Sequence, residues 1–492
     1  MVQHISRYKA LLPTCAGLLL CLTLPPVDAG FVVWIALVPL LLYIHATKSL
    51  KRAFFAGVLT GTICGVKVLY PLSTLNAWWW TNPAGIFWDV RTGVLTLLLI
   101  FVASYSGGLV IGLFSVAFKK FRQIPLVNIL LFSALWTLFE RAREPLVLGF
   151  TWGHLGYALH NSLYLVQIAK LGFVYSVTFL ILAVNIGIFE TILAIYTYYC
   201  THKHRGIRES ILHGFLTPAF LSIFALIIAS FMFGYISLQK TKGDKHVLQV
   251  AAVHMDIKTE DSVGIEAFNA YLALIDEALT RSPDLIVLPE NAFPFFVINE
   301  ETRVPLKYEN TASNIKDLFN ALRQRSIQHP STSFIIGMHS VLGNALHNSM
   351  VVLEKGDIAD IYNKRKLMPF AEDDTKIFGG SKTKPFLEGV HDQIIHAHGS
   401  AITPLICSEI IFPSLSYNRS SNLIINASND SVFSSRLVGI QNHAIAQIRA
   451  IENNKYVIRS VKGGITSIID PFGRILAKKE GGRGVIIASI TY

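Results

Sequence analysis

Apolar residues are distributed in two textures along this chain. Before about residue 240 they form long runs, at 11–24, 31–44, 53–70, 92–118, 125–139, 171–199 and 215–238. A helix needs about 20 mostly apolar residues to cross a bilayer, so the longer runs qualify alone and the shorter ones lean on their flanks. From His246 the apolar stretches shorten and alternate with polar ones. Residues 246–253, 285–288, 333–337, 349–353, 402–406, 423–426, 456–460 and 465–469 read as strands. Residues 265–279 and 441–453 carry apolar side chains at helical spacing and read as helices. Strands alternating with helices predict an α/β layered domain over 241–492, behind a polytopic α-helical membrane domain over 1–240 with about seven spans. Residues 240–245 form a short polar linker between them.

Charge orients the first half. Residues 1–240 hold 17 Lys+Arg and 6 Asp+Glu, whereas the 26 basic and 26 acidic residues of the remainder cancel. Arg7 and Lys9 precede the first run. Lys48, Lys51 and Arg52 follow the second, Lys119, Lys120 and Arg122 the fourth, and Lys203, Arg205 and Arg208 the sixth. All of these clusters share one side if the chain starts in the cytoplasm. The connection bearing Trp78, Trp79, Trp80 and Trp88 then lies on the opposite side, where an aromatic belt is expected. Seven crossings leave everything after Lys240 outside. Reading the first run as a signal peptide, cleaved near Val27-Asp28-Ala29, leaves that orientation unchanged. Lys67 and Glu190 fall inside predicted spans. Lys67 is placed to snorkel, and Glu190 has no partner that the sequence names.

Composition narrows the classes further. A chain of 492 residues that is 52% hydrophobic, 15% charged and +0.47 in mean hydropathy is not a purely soluble, disordered or disulfide-scaffold protein. Its net charge of +11 does not argue for nucleic acid once the basic residues are assigned to cytoplasmic loops.

Three residues of the second half carry candidate chemistry. Cys407 is the only cysteine beyond residue 200, the others being Cys15, Cys21, Cys64 and Cys200. In an oxidising compartment it has no intrachain disulfide partner in its own half, which leaves a buried small hydrophobe or a reactive thiol. Its place at the end of the 402–406 strand, before Ser408-Glu409, favours a side chain emerging toward a crevice. Glu290 ends the buried-looking run 284–289 and could equally be a turn or capping carboxylate. Lys364 follows another strand-like stretch, in a basic run that alone would read as a solvated face. Together they are more telling. A thiol needs a base to become a thiolate, and an ammonium stabilises both the thiolate and an oxyanion formed on an acyl carbon.

At these residues the chain resembles the nitrilase superfamily, in Leu288-Pro289-Glu290, in Tyr362-Asn363-Lys364 with Pro369-Phe370, and in Ile406-Cys407-Ser408-Glu409. Joined to a multi-spanning first half, these segments are similar to the bacterial apolipoprotein N-acyltransferase family. Leu24-Pro25-Pro26, 136–141, Gly149-Phe150-Thr151-Trp152, Asn429-Asp430, Arg449-Ala450-Ile451-Glu452 and Gly464-Ile465-Thr466 agree with it. The resemblance implies an α-β-β-α sandwich with Glu290 as general base, Lys364 as oxyanion and thiolate stabiliser and Cys407 as nucleophile, supported by Glu372 and Glu409. It further implies acyl transfer from a membrane phospholipid, through a Cys407 thioester, to the α-amino group of a diacylated apolipoprotein, at the periplasmic face of the bacterial inner membrane. Neither cofactor nor metal is implied.

The chain departs from the family pattern at several points. Ser408 stands where a bulky aromatic is usual, Asn429-Asp430-Ser431-Val432-Phe433 lacks a tryptophan, and Lys366 and Ala371 replace a histidine and a glycine. Val461-Lys462-Gly463 replaces an Asn-containing turn, and the sequence stops at Tyr492 where the family adds one more membrane helix. These positions bear on the pocket and the tether rather than on the three residues.

Other signals carry less. His391, His396 and His398 lack a cysteine or acidic partner at zinc spacing and read as surface histidines. The sequence has no phosphate loop or dinucleotide fingerprint, and nothing in it calls for nucleic acid. Two further readings stand beside acyl transfer: a membrane-anchored amidase or hydrolase with water as acceptor, and a non-catalytic receptor or transporter.

Overall fold

A computed structural model describes the chain except for residues 1–10, 75–85, 146–150, 240–245, 258–264, 295, 308–314, 369–371, 373–385, 391–392 and 434. Arg7, Lys9, Trp78, Trp79, Trp80, Gly149, Phe150, the 240–245 linker, Pro369, Phe370, Ala371 and His391 therefore lie outside the described residues. The chain forms two compact units, one of residues 1–73 and 93–240, the other of residues 241–492 together with 74–92.

The first unit is helical: α1 (Leu11–Leu22), α2 (Val38–Ala46), α3 (Leu50–Leu69), α4 (Ile86–Phe121), α5 (Pro125–Arg143), α6 (Ala169–Thr201), α7 (Gly206–Phe215) and α8 (Pro218–Gln239). Of the seven expected spans, four are, among the described residues, long and apolar enough to cross a bilayer by themselves: Leu50–Leu72, Ile100–Phe121, Leu165–Thr201 and Pro218–Gln239. The other three positions are helical too, but α1 and α2 have only 12 and 9 residues. At about 1.5 Å per residue they fall well short of a core of about 30 Å. Helix α5 instead carries Glu140, Arg141 and Arg143 in its last turns. Buried Glu140 accepts hydrogen bonds from Trp136 Nε1, Leu155 N and Thr178 Oγ1, so its position is an internal anchor.

Close packing of α3 on α4 follows from their small residues. Gly57, Gly61 and Gly65, spaced four apart, face Ser104, Gly108 and Ser115, and a Cβ at Gly61 would lie 2.7 Å from Gly108 Cα. Both intramembrane charges have partners. Arg122 donates to both oxygens of Glu190 at 3.1 and 2.6 Å, and Asn128 Nδ2 donates at 2.7 Å. Lys67 does not snorkel; its ammonium donates to the carbonyls of Leu24 and Pro25 at 2.8 and 2.6 Å.

The second unit contains β1 (Val247–Met255), α9 (Ile265–Leu279), β2 (Leu285–Val287), β3 (Phe296–Asn299), β4 (Val304–Lys307), α10 (Ile315–Gln328), β5 (Ser333–Leu342), β6 (Ala345–Glu354), β7 (Asp357–Asn363), β8 (Ile395–Ala397) and β9 (Ser400–Ile406). It continues with α11 (Pro413–Ser416), β10 (Leu423–Asn429), α12 (Leu437–Asn453), β11 (Tyr456–Lys462), β12 (Ile465–Ile469), β13 (Ile475–Glu480) and β14 (Arg483–Thr491). Strand order runs β4-β3-β5-β2-β1-β11-β10-β9-β8, with β2, β1, β11, β10 and β9 parallel. The β1–β11 junction is narrow, with Met255 paired to Lys462.

Alternation along the strands builds two cores, because successive side chains point to opposite faces. Ala251, Val253, Ile286, Phe334 and Ile336 pack with Phe268, Tyr271 and Ile275 of α9 and with Phe319 and Leu322 of α10. Val250, Ala252, Leu285, Val287 and Ile335 pack instead with Ile402, Ile406, Leu423, Ile425 and Ile458, joining strand to strand. With α12 against β11 and β12, the layers are helix, sheet, sheet, helix.

Candidate active site

The parallel strands deliver their last residues to one end of the layers, the usual place for a site in such a sheet. Glu290 follows β2, Lys364 follows β7, Cys407 follows β9 and Lys462 ends β11. Glu290 and Lys364 are buried, whereas Cys407 keeps partial exposure.

Each is held by local geometry. Cys407 has φ 51°, a left-handed backbone uncommon for a residue with a side chain, and it opens a short 3-10 helix, Cys407–Ile411. The strand therefore turns sharply at the thiol. Glu290 lies against the backbone of β5, where a Cβ on Gly337 would stand 2.5 Å from Glu290 Cα, so that only glycine admits this approach. Lys364 follows the last residue of β7, and its backbone N–H donates to Asn348 O at 2.8 Å.

The side chains form one network. Lys364 Nζ lies 2.7 Å from Glu372 Oε2 and 3.9 Å from Glu290 Oε1. Asn348 Nδ2 donates to both carboxylates, Glu290 Oε1 and Glu372 Oε1, each at 2.8 Å. Asn429 N donates to Glu290 Oε2 at 2.8 Å, and the Cys407 thiol lies close enough to Glu290 to favour its ionised form. Glu372 also accepts from Met368 N at 2.8 Å.

Electrostatics separate the roles these groups can take. Burial pushes the Glu290 carboxyl above its ordinary range; Lys364 opposes this and Glu372 reinforces it. Burial alone would discharge Lys364, but Glu372, Cys407 and Glu290 override it and hold the ammonium charged. Burial and the Glu290 charge raise the Cys407 thiol, and Lys364 pulls it back. The resting site is therefore a thiol beside a carboxylate, with a fixed ammonium within reach. Formation of a thiolate there needs a base, and the Glu290 carboxyl is the group placed to serve as one. Glu372, bound by three donors, is committed as counter-ion to Lys364.

Glu409 stands apart from the reacting groups. Its Oε1 accepts from Arg365 N at 2.7 Å and Lys366 N at 3.1 Å, while Oε2 accepts from Ile406 N and Tyr362 Oη, both at 2.8 Å. It braces the Cys407 turn against the segment that follows Lys364. Sequence reasoning does not single out Asn348, because its neighbours His347 and Ser349 are polar too and the pattern does not foreshadow its burial. It also treated Lys462 only as a departure from pattern, whereas Lys462 is buried with its ammonium 2.8 Å from Asn291 O. His396 and His398 lie at the β8 turn, beside Asp360 and Asp284 respectively, away from these residues.

Comparison with known proteins agrees with this division. Residues 16–187 match the model of the apolipoprotein N-acyltransferase N-terminal domain, and residues 249–492 match that of the carbon-nitrogen hydrolases. The chain belongs to the apolipoprotein N-acyltransferase family. A family member from Geobacter metallireducens is 29% identical over 96% of this chain and 87% of its own length. Another, from Aquifex aeolicus, is 24% identical over 99% of both chains. Among solved structures, a CN-hydrolase superfamily protein from Xanthomonas campestris aligns with 50% of this chain and 91% of its own, at 17% identity and a TM-score of 0.39. Family membership and the apolar helices make this a multi-pass membrane protein with a carbon-nitrogen-hydrolase domain.

Proposed function

We propose that this chain N-acylates lipoproteins by a two-step transfer through Cys407. Glu290 takes the Cys407 proton, and the thiolate attacks an ester carbonyl of a membrane phospholipid. Lys364 stabilises the tetrahedral oxyanion. Collapse breaks the C–O bond, Glu290 returns the proton to the leaving alkoxide, and a lysophospholipid departs from the Cys407 thioester. The free α-amino group of a diacylglyceryl-cysteine then attacks the thioester carbonyl. Glu290 accepts a proton from that amine, the C–S bond breaks and the product is an amide. A thioester retains enough reactivity to acylate an amine, so water is not needed as acceptor. The domain is read as periplasmic, at the outer leaflet of the inner membrane, where donor and lipid-anchored acceptor both arrive by lateral diffusion.

One observation carries this reading: the buried carboxylate, ammonium and thiol converge at the ends of β2, β7 and β9 in a chain of this family. The test is mass spectrometry of lipoproteins from cells depleted of their own acyltransferase and supplied with this chain. A third acyl chain that disappears in Cys407→Ala is expected. Free fatty acid with no third chain means that water is the acceptor and overturns the proposal. A third chain made by Cys407→Ala overturns the triad.

A further inference from the structure

Lys462 is a second buried cation at this site, contributed by a turn that departs from the family pattern. It closes β11, where Met255 of β1 pairs with it from one side and Asn429 of β10 from the other. From these paired positions two hydrogen bonds reach the same short turn. Asn429 N donates to the Glu290 carboxylate at 2.8 Å, and Lys462 Nζ donates to the carbonyl of Asn291, the next residue, also at 2.8 Å. Asn291 has φ 50°, a left-handed backbone that an asparagine adopts at some cost and that an external hydrogen bond helps to hold.

The charged and titratable groups around this turn arrive from every neighbouring strand. Lys364 and Glu372 lie on the β7 side, and His339 comes from β5, where Glu372 and Lys462 act on it in opposite senses. Cys407 comes from the end of β9. Asp430, after β10, is engaged by Arg459 at 2.6 Å, and His254 of β1 faces Thr466 at 2.9 Å. Glu290 and Glu372 therefore bring two negative charges, and Lys364 alone brings one positive charge. An ammonium at Lys462 completes the balance. Among the described residues the Glu290 carboxylate works against the burial that brings Lys462 down to about 8.

We propose that Lys462 is a positioning residue for Glu290, gripping the Glu290–Asn291 turn and supplying the positive charge that keeps Glu290 ionised near neutral pH. The proposal rests on the reading of Glu290 as the base of Cys407. Its role is electrostatic as well as mechanical, and the two are separable, because glutamine can donate to Asn291 O without bringing charge.

The experiment is iodoacetamide alkylation of Cys407 in the full chain in detergent micelles, read by peptide mass spectrometry from about pH 5 to about pH 9. In the wild type the rate climbs as Glu290 ionises. In Lys462→Met and Lys462→Gln the climb moves about one pH unit higher, because a nearby cation no longer favours the carboxylate. In Lys462→Arg it stays within about 0.3 unit. If Lys462→Met misfolds, Lys462→Gln carries the test. A glutamine profile superimposed on the wild type, an arginine profile displaced as far as glutamine, or a wild type with no climb would each overturn the proposal. Incubating the same samples with phospholipid vesicles tests the underlying reading separately. A displaced alkylation profile with no acyl-Cys407 would remove acyl transfer and leave the role of Lys462 standing.

Discussion

Glu409 lies two positions after Cys407, the proposed nucleophile, yet the structure makes it a brace, and Glu409→Gln separates bracing from chemistry. The carboxylate accepts from four donors, two on each oxygen. Glutamine must point its amide nitrogen at one pair. Turned toward Arg365 N and Lys366 N, it strands two buried backbone donors, at about 1–3 kcal/mol each. Turned toward Ile406 N and Tyr362 Oη, it strands one, because the hydroxyl can rotate to accept. The second arrangement is cheaper, and the remaining bonds lose their charge assistance, so the loss is about 2–4 kcal/mol. This is a large share of the roughly 5–15 kcal/mol that holds a typical domain together. All seven tryptophans lie at or before residue 152, so no tryptophan in β9 or β10 reports on this turn by fluorescence. Hydrogen exchange on β9 and β10 peptides does. A loss of 2 kcal/mol accelerates exchange through opening by about 30-fold. Exchange within about threefold of wild type in Glu409→Gln would refute the bracing role.

Further outcomes follow from the same geometry. Lys364→Ala should lower thioester formation by about a thousandfold, because it removes the oxyanion partner and leaves Glu372 buried without its counter-ion; single-turnover acylation measures this. Gly337→Ala drives a methyl group into Glu290 Cα and should cut acylation at least about tenfold while leaving the sheet folded, as circular dichroism checks. Acylation should fall as pH drops through the raised Glu290 range, above that of an ordinary glutamate, and Glu290→Gln should abolish that limb. Lys462 makes stability depend on pH in the alkaline range. Below about 8 both folded and unfolded states hold its proton, and between about 8 and its unfolded value of 10.5 only the unfolded state does. Stability therefore rises with pH across that window, and denaturant melts of Lys462→Met should lose the rise.

Much of this was legible because apolar spacing is a strong signal. The helix at Ile265–Leu279 and the strand at Ile465–Ile469 occur at the expected bounds. Several strands absent from that pattern have diluted apolar spacing. Strand β13 carries Lys478, Lys479 and Glu480, β4 contains Pro305, and β14 begins Arg483-Gly484. Helix α10 is predominantly polar, with only a narrow apolar stripe. In the membrane unit, the helices at the first two apolar runs are shorter than the runs themselves, because hydropathy does not reveal where a segment such as Pro25-Pro26 ends a helix. Glu290, Lys364 and Cys407, proposed here as the reacting residues, emerged from chemistry and resemblance. The residues that aim them did not, because Asn348, Gly337 and Lys462 act through contacts between strands distant in sequence.

The approach of Gly337 to Glu290 has a consequence for how such a site changes over generations. Glu290, the proposed base, is set by one backbone lying on another, not by the shapes of neighbouring side chains. Side chains around the site can therefore vary over generations while Glu290 keeps its place.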